Sequence, residues 1–113
     1  MADLVYIDQE DGKKRVMNNG KLYAKLLAKF KDETRLEPIF AALDAGNYEE
    51  AQSLTHTAKG ITANLSIMDL NRKLIELEVQ IKARSVSPDA VEAVKASFAA
   101  TIPEVEKVIA QNA

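Results

Sequence analysis

Apolar residues recur at helical spacing along almost the whole chain. Between Asn19 and about Lys31 they fall three and four positions apart and form one stripe, made of Leu22, Tyr23, Leu26, Leu27 and Phe30. A second stripe follows, made of Leu36, Ile39, Phe40 and Leu43. No segment shows a convincing alternation of apolar and polar residues, the pattern of a half-buried strand. The pattern therefore predicts an all-α protein built from amphipathic helices.

The segment "LDAGNYEEA" contains signals for a helix end followed by a helix start. Gly46 suits the left-handed position that closes a helix. Asn47 suits the N-cap of the next helix, and Glu50 three residues later completes a capping-box pattern. We therefore expect a helix from Tyr48 to about Ala63. Pro38 is expected in the first turn of the preceding helix, where its missing N–H does no harm.

Two further helices complete the pattern. Ser66 is expected to be the N-cap of the first, with Asp69 at the third helical position and the end near Ala83 or Arg84. Its apolar stripe is Leu70, Leu74, Leu77 and Ile81. The second is expected to begin with Ser87 as cap and Pro88 at the first helical position. Its stripe is Val91, Val94, Phe98, Ile102, Val105 and Ile109.

Pro103 lies inside the last stripe. Proline kinks or divides a helix, and because the stripe keeps its phase across this residue we expect a kink. Short connections between amphipathic helices are typical of antiparallel neighbours. The chain is thus expected to be an up-and-down antiparallel helix bundle, with residues 1–113 in one domain and 1–17 as an N-terminal segment packing on the bundle.

Composition limits the classes of function. The chain has 113 residues and a formal net charge of -2, which gives no reason to expect nucleic acid as a partner. No apolar run is long enough to cross a bilayer, and the N-terminus lacks the pattern of a signal peptide, so we expect no membrane association and a cytoplasmic location. There are no cysteines, one histidine and four glycines, none of them in a phosphate-binding loop. An ATP-using enzyme or a multi-histidine metal site does not fit, so we expect no metal site, no cofactor of its own and a function that depends on a partner.

The stretch "LTHTAKGITANL" holds the single histidine, His56. On the expected helix His56 lies away from the core stripe, and its neighbours on the same face are Gln52, Lys59, Gly60 and Ala63. A glycine inside a helix costs about 1 kcal/mol relative to alanine, so Gly60 needs a reason other than helix stability. An exposed histidine beside a lysine is most often ordinary surface, and helical position alone favours that interpretation.

Phosphoryl chemistry gives each of these residues a task. A neighbouring cation disfavours a second positive charge on the ring, and the neutral imidazole of His56 can attack a phosphoryl group. Lys59 can neutralise the phosphoryl oxygens, and Gly60 leaves room for the active-site loop of another protein. If the next helix folds back, Glu78 lies within about one turn of the level of His56. It is then either the acceptor for Nδ1, which makes Nε2 the nucleophile, or an ordinary solvated glutamate.

These residues resemble the signature of histidine-containing phosphotransfer (HPt) domains, which reads roughly H-x-x-K-G-x-x-x-N-L-G. The match comprises His56, Lys59, Gly60, Asn64 and Leu65. "LDAGNYEEAQSLTH" is similar to the family's approach to the histidine, with Asn47 in place of the common aspartate. Glu78 in "LIELE" falls where many members carry Glu or Gln. "YIDQEDGKKRVMNNGKLYAKLLAKF" resembles the N-terminal helix of HPt modules attached to hybrid sensor kinases.

The chain departs from the family at two positions. Ser66 stands where glycine is preferred, and Lys13 stands where an apolar residue is usual after Gly12. The resemblance implies a four-helix bundle with an additional N-terminal helix. It also implies a stand-alone phosphocarrier without kinase activity of its own, with His56 relaying a phosphoryl group between receiver-domain aspartates or from a histidine kinase.

In that case the partner receiver supplies Mg²⁺ and the aspartate, and the protein is expected to be a monomer. Partner recognition is expected around the two helices that carry His56 and Glu78, at Gln52, Ala63, Asn71 and Lys82. The alternative is a non-catalytic helical adaptor that docks on a receiver or a kinase without carrying phosphate.

Overall fold

The computed structural model describes residues 5–112, so the first four residues of the expected N-terminal segment 1–17, and Ala113 at the end of the expected domain, lie outside it. The described chain is all-helical, as predicted. Its helices are α1 (Gln9–Lys14), α2 (Gly20–Glu33), α3 (Glu37–Asp44), α4 (Tyr48–Asn64), α5 (Met68–Lys82) and α6 (Pro88–Asn112).

The helices pack mainly in pairs that are adjacent in space. α4 packs on α3 and α5, α6 packs on α5 and α2, and α1 packs on α2. Between α4 and α5 the side chain of Asn71 contacts Lys59, while Glu78 contacts the earlier residue His56. Because residues later in α5 contact residues earlier in α4, these two helices run antiparallel.

The core consists mainly of aliphatic side chains from the long helices. Leu27 of α2, Leu70, Leu74 and Leu77 of α5 and Val94 of α6 are completely buried. α4 contributes small residues to this core, and its buried positions are Ala51, Thr55, Ala58 and Thr62. These four recur three and four positions apart, so they form one face of the helix.

Three positions predicted from capping chemistry, Gly46, Asn47 and Ser87, are confirmed. Gly46 has a φ of 73° and ends α3. Asn47 accepts a hydrogen bond from the backbone N–H of Glu50, and its Nδ2 donates to the Glu50 carboxylate at 3.0 Å. The Ser87 hydroxyl accepts from the Ala90 N–H at the start of α6. Local sequence determines these ends because the capping partners lie within three residues of each other.

The prediction that Ser66 caps α5 is wrong. The N-cap is Ile67, and Ser66 instead has a φ of 56° with its hydroxyl donating to the carboxylate of Asp11. The chain before α1 explains the difference. Asp8 N–H donates to the Ser66 carbonyl, and Ile7 and Ile67 form a single antiparallel bridge. A contact from a distant segment has thus replaced the local cap.

Two other details differ from or refine the sequence pattern. Leu22, which the sequence pattern placed in the first apolar stripe, is 41% exposed. Ala24, which the pattern left out of that stripe, is buried. Pro103 lies within α6, which is one helix from Pro88 to Asn112, so the proline does not divide it. The Thr101 hydroxyl, two residues before Pro103, donates to the Ser97 carbonyl one turn earlier.

Candidate functional site

The candidate site lies on the exposed surface where α4 faces α5. α4 carries His56, Lys59 and Gly60 within little more than one turn, and α5 carries Glu78. The His56 side chain is 70% exposed, as the helical pattern predicted. The Glu78 side chain is only 4% exposed, so the alternative of an ordinary solvated glutamate is wrong.

Three basic or potentially basic groups surround the Glu78 carboxylate. Lys59 Nζ lies 2.6 Å from Oε1, and His56 Nδ1 lies 3.2 Å from Oε2. Lys82, one turn further along α5, has its Nζ 3.9 Å from Oε2. The contact between Lys59 and Glu78 was not anticipated from the sequence, because it depends on how α4 and α5 align. The Glu78–Lys82 contact has the i, i+4 spacing that a helical sequence reveals.

The charge state of Glu78 follows from these contacts. Burial by itself raises the pKa of the carboxyl group, but the hydrogen bond and charge of Lys59, the charge of Lys82 and the hydrogen bond to His56 outweigh it. The pKa of Glu78 is therefore held below its ordinary value of 4.5. At neutral pH the group is a carboxylate, which accepts hydrogen bonds and donates none.

This charge state determines the tautomer of His56. Because the carboxylate only accepts, the ring nitrogen that faces it, Nδ1, carries the proton. A neutral imidazole carries a single N–H, so Nε2 keeps its lone pair. Glu78 is buried beneath the ring while His56 is largely exposed, which leaves Nε2 available to a reactant that arrives from solvent.

Gly60 borders the histidine on the exposed face of α4. A Cβ atom placed on Gly60 has no other atom within 4 Å beyond its own helix turn, so packing within the chain does not require a glycine here. Gly12 differs, because a Cβ on it would collide with the ring of Tyr23. Gly60 therefore leaves open surface, whereas Gly12 permits a close contact inside the protein.

The remaining residues expected at a partner surface lie in different surroundings. Ala63 and Lys82 are exposed and Gln52 is half-buried. Asn71 is half-buried, and its Nδ2 donates to the Lys59 carbonyl at 2.9 Å and to the Thr62 hydroxyl at 3.1 Å. Asn71 thus ties α5 to α4 two helical turns before Glu78. This role was not predicted from the sequence. The signal that could have revealed it is the position of a polar residue, Asn71, beside the apolar stripe of an amphipathic helix.

A large groove lies elsewhere on the described chain. It has a volume of about 920 Å³ and runs between α2 and α4, where Leu26, Phe30, Leu54 and Ile61 line it. His56 and Glu78 do not line this groove. The candidate site is therefore on the exposed surface of α4 and α5 and not in this groove.

Within residues 5–112, no three or more His, Asp or Glu side chains are grouped so that they would hold a metal ion. Over the same residues, no helix has the length and hydropathy that a bilayer crossing requires. No protein-family model, curated protein or solved structure matches this chain. The functional interpretation therefore rests on the motif and on the geometry around His56.

Proposed function

We propose that this chain is a histidine phosphotransfer intermediary of a two-component phosphorelay. The observation that carries the proposal is the pair formed by His56 and Glu78. An exposed imidazole whose Nδ1 is held 3.2 Å from a buried carboxylate has the tautomer and the accessibility of a nucleophile at Nε2.

The transfer step follows from this arrangement. The Nε2 lone pair of His56 forms a bond to phosphorus, and the bond between phosphorus and the aspartyl oxygen of the partner breaks, with its electron pair left on the aspartate. The proton on Nδ1 stays in place, because Glu78 stabilises it. Positioning and charge neutralisation supply most of the catalysis in phosphoryl transfer, and Lys59 is proposed to provide the positive charge on this side.

The rest of the active site belongs to the partner. The partner is a response-regulator receiver domain, which contributes the aspartate and Mg²⁺, or a sensor histidine kinase. The open surface at Gly60 gives its active-site loop access to Nε2. Lys82, Ala63, Gln52 and Asn71 surround this approach and are proposed to contribute to partner recognition. The protein acts as a cytoplasmic monomer, with neither nucleic acid nor a membrane as its target.

The fold proposed for this function is an up-and-down antiparallel four-helix bundle of α2, α4, α5 and α6, with α1 as the additional N-terminal helix. The pairing of α4 with α5, α5 with α6 and α6 with α2 supports it. Helices α4 and α5 then form the hairpin that brings His56 and Glu78 to one level.

The direct test is incubation of the native chain with a radiolabelled, phosphorylated receiver domain, followed by separation and treatment with acid or base. We expect label on the chain that is stable in base and labile in acid, as a phosphoramidate is. A His56→Gln variant should take up none. Equal uptake by that variant would show that another residue is the phosphoacceptor.

The adaptor function predicts a different outcome. If the chain docks on a receiver or a kinase without carrying phosphate, the affinity of the complex and its effect on the partner survive His56→Gln, and the native chain acquires no label. Because docking accompanies both functions, the label decides between them.

A further inference from the structure

The geometry of Lys59 conflicts with the role expected of it. To neutralise a phosphoryl group on Nε2, its ammonium must reach the exposed side of the His56 ring. In the structure Lys59 Nζ is instead 2.6 Å from Oε1 of Glu78, and its side chain is only 28% exposed. If Lys59 moved away, a buried carboxylate would lose its nearest cation, which is a costly change.

Lys82 is placed to remove that cost. Its Nζ lies 3.9 Å from Oε2 of the same carboxylate, beyond hydrogen-bond distance but within the range of an ion pair. Its side chain is 58% exposed and is therefore free to shift by an ångström. It lies on the next turn of α5, so the approach needs no movement of the backbone.

The net charge of the cluster also indicates a role for Lys82. Glu78 carries one negative charge and the two lysines one positive charge each, so with a neutral His56 the cluster has one net positive charge. A phosphoryl group brings about two negative charges, and the ring that keeps its Nδ1 proton gains a positive one. The phosphorylated cluster is then close to neutral. Without Lys82 it would carry a net negative charge beside a buried carboxylate.

We propose that Lys82 is a positioning residue that closes on Glu78 when His56 is phosphorylated, so that Lys59 leaves the carboxylate and binds the phosphoryl oxygens. This inference rests on the proposed function, since it assigns a role within the same site. Lys82 touches no reacting atom and acts through Lys59 and Glu78.

Phosphoramidate is a suitable probe because it phosphorylates imidazole without a partner protein. Nε2 forms the bond to phosphorus, the P–N bond of the zwitterionic reagent breaks, and ammonia leaves with its electron pair. The second ionisation of the attached phosphoryl group is then followed by ³¹P NMR as pH is varied. A cation in contact with the phosphoryl oxygens favours the dianion and lowers the pKa of the group.

We expect the proton affinity of the phosphoryl group to rise about two- to fivefold in Lys82→Gln, the range typical of one exposed ion pair. Lys82→Arg should retain the native value. Lys73→Gln is the matched control, because Lys73 is also on α5 and lies 3.8 Å from a buried carboxylate, that of Asp69, at the same i, i+4 spacing. It should leave the phosphoryl titration unchanged.

A double-mutant cycle separates an indirect effect from a direct one. If Lys82 acts through Lys59, then Lys82→Gln has no further effect in a Lys59→Gln background. An undiminished effect in that background would mean that Lys82 itself faces the phosphoryl group, and the inference would be wrong. Identical titrations for the native chain and Lys82→Gln would also overturn it. If the titrations come out as expected but the chain takes no label from a phosphorylated receiver, the proposed function is wrong, whereas the role of Lys82 in the phosphorylated site holds.

Discussion

The Nδ1 atom of His56 lies 3.2 Å from Oε2 of Glu78, although the two residues are 22 positions apart in the sequence. One residue is on the exposed side of α4 and the other is buried in α5. This contact connects the tautomer of the histidine to the packing of the two helices, because the buried, ionised carboxylate accepts from Nδ1 and so holds the proton there.

Replacing Glu78 with glutamine should weaken the control of the tautomer. The glutamine amide both donates and accepts, so either ring nitrogen of His56 is able to carry the proton. We expect the ¹⁵N NMR shifts of the ring to move towards a mixture of tautomers and the transfer rate to fall about two- to tenfold, in line with one hydrogen bond. Unchanged ring shifts in a folded Glu78→Gln variant would contradict the assigned role.

Glu78 should also make stability depend on pH in the acid range. Its pKa in the folded protein is below the ordinary 4.5, so its contribution to the free energy of unfolding is complete above that value and is lost as pH falls through the folded pKa. Urea unfolding of the native chain between neutral pH and about pH 3 measures this loss. The pH dependence should be smaller for Glu78→Gln. If the free energy of unfolding falls with pH by the same amount in both proteins, the prediction is contradicted.

The helical glycines Gly60 and Gly12 should respond in opposite ways to substitution. Gly60→Gln meets open space and improves helix propensity, so we expect stability to rise by about 0.5 kcal/mol. Transfer from a receiver should slow by about tenfold, or roughly 1.4 kcal/mol, because the new side chain occupies the approach to Nε2. Ala99→Gln, at an exposed position of α6, is the matched control and should leave transfer unchanged.

Gly12→Ala should destabilise the protein by about 1–3 kcal/mol, since its Cβ overlaps the buried ring of Tyr23. Thermal unfolding of both variants tests the contrast. A loss of stability in Gly60→Gln would show that this glycine serves the fold.

Tyr23 gives a prediction at high pH. Its hydroxyl donates to the Leu65 carbonyl at 2.7 Å, and burial, with Asp8 and Asp11 adding to it, raises the pKa of Tyr23 to about 12. Since the unfolded chain loses this proton near pH 10, stability from Tyr23 is complete below that pH and is lost as pH rises towards 12.

Ultraviolet titration should show one phenol that ionises near pH 12 in the native chain and is missing from Tyr23→Phe. The same variant should lose about 1–2 kcal/mol at neutral pH through the broken hydrogen bond. A native titration without that late component would contradict the burial of this hydroxyl.

Ser66 combines a favourable contact with an unfavourable backbone. A φ of 56° costs a non-glycine residue about 1 kcal/mol, whereas its hydroxyl gains a hydrogen bond to Asp11. Ser66→Ala loses the bond and keeps the strain, but Ser66→Gly loses both. We therefore expect the alanine variant to be less stable than the glycine variant by about 1 kcal/mol in urea unfolding. The reverse order would show that the strain is negligible.

Ser66 also shows where sequence reasoning about the fold was limited. The helix ends at Gly46, Asn47 and Ser87 were predicted because each cap involves residues within one turn of each other. The start of α5 was missed because its geometry depends on Asp8 and Asp11, which are more than fifty positions away.

The sequence by itself determined the helical class, most helix boundaries and the exposure of His56, since each follows from periodicity and local capping. It also brought Lys59 and Gly60 to the face of His56, because residues three and four apart share a helix face. Only the tertiary structure decided that Glu78 is buried and ionised, that Lys59 is bound to it and that Lys82 lies within reach. These features depend on the alignment of α4 against α5, which the Asn71 contact and the packed core settle together. A displacement of one helical turn would move the carboxylate about 5 Å away from the ring.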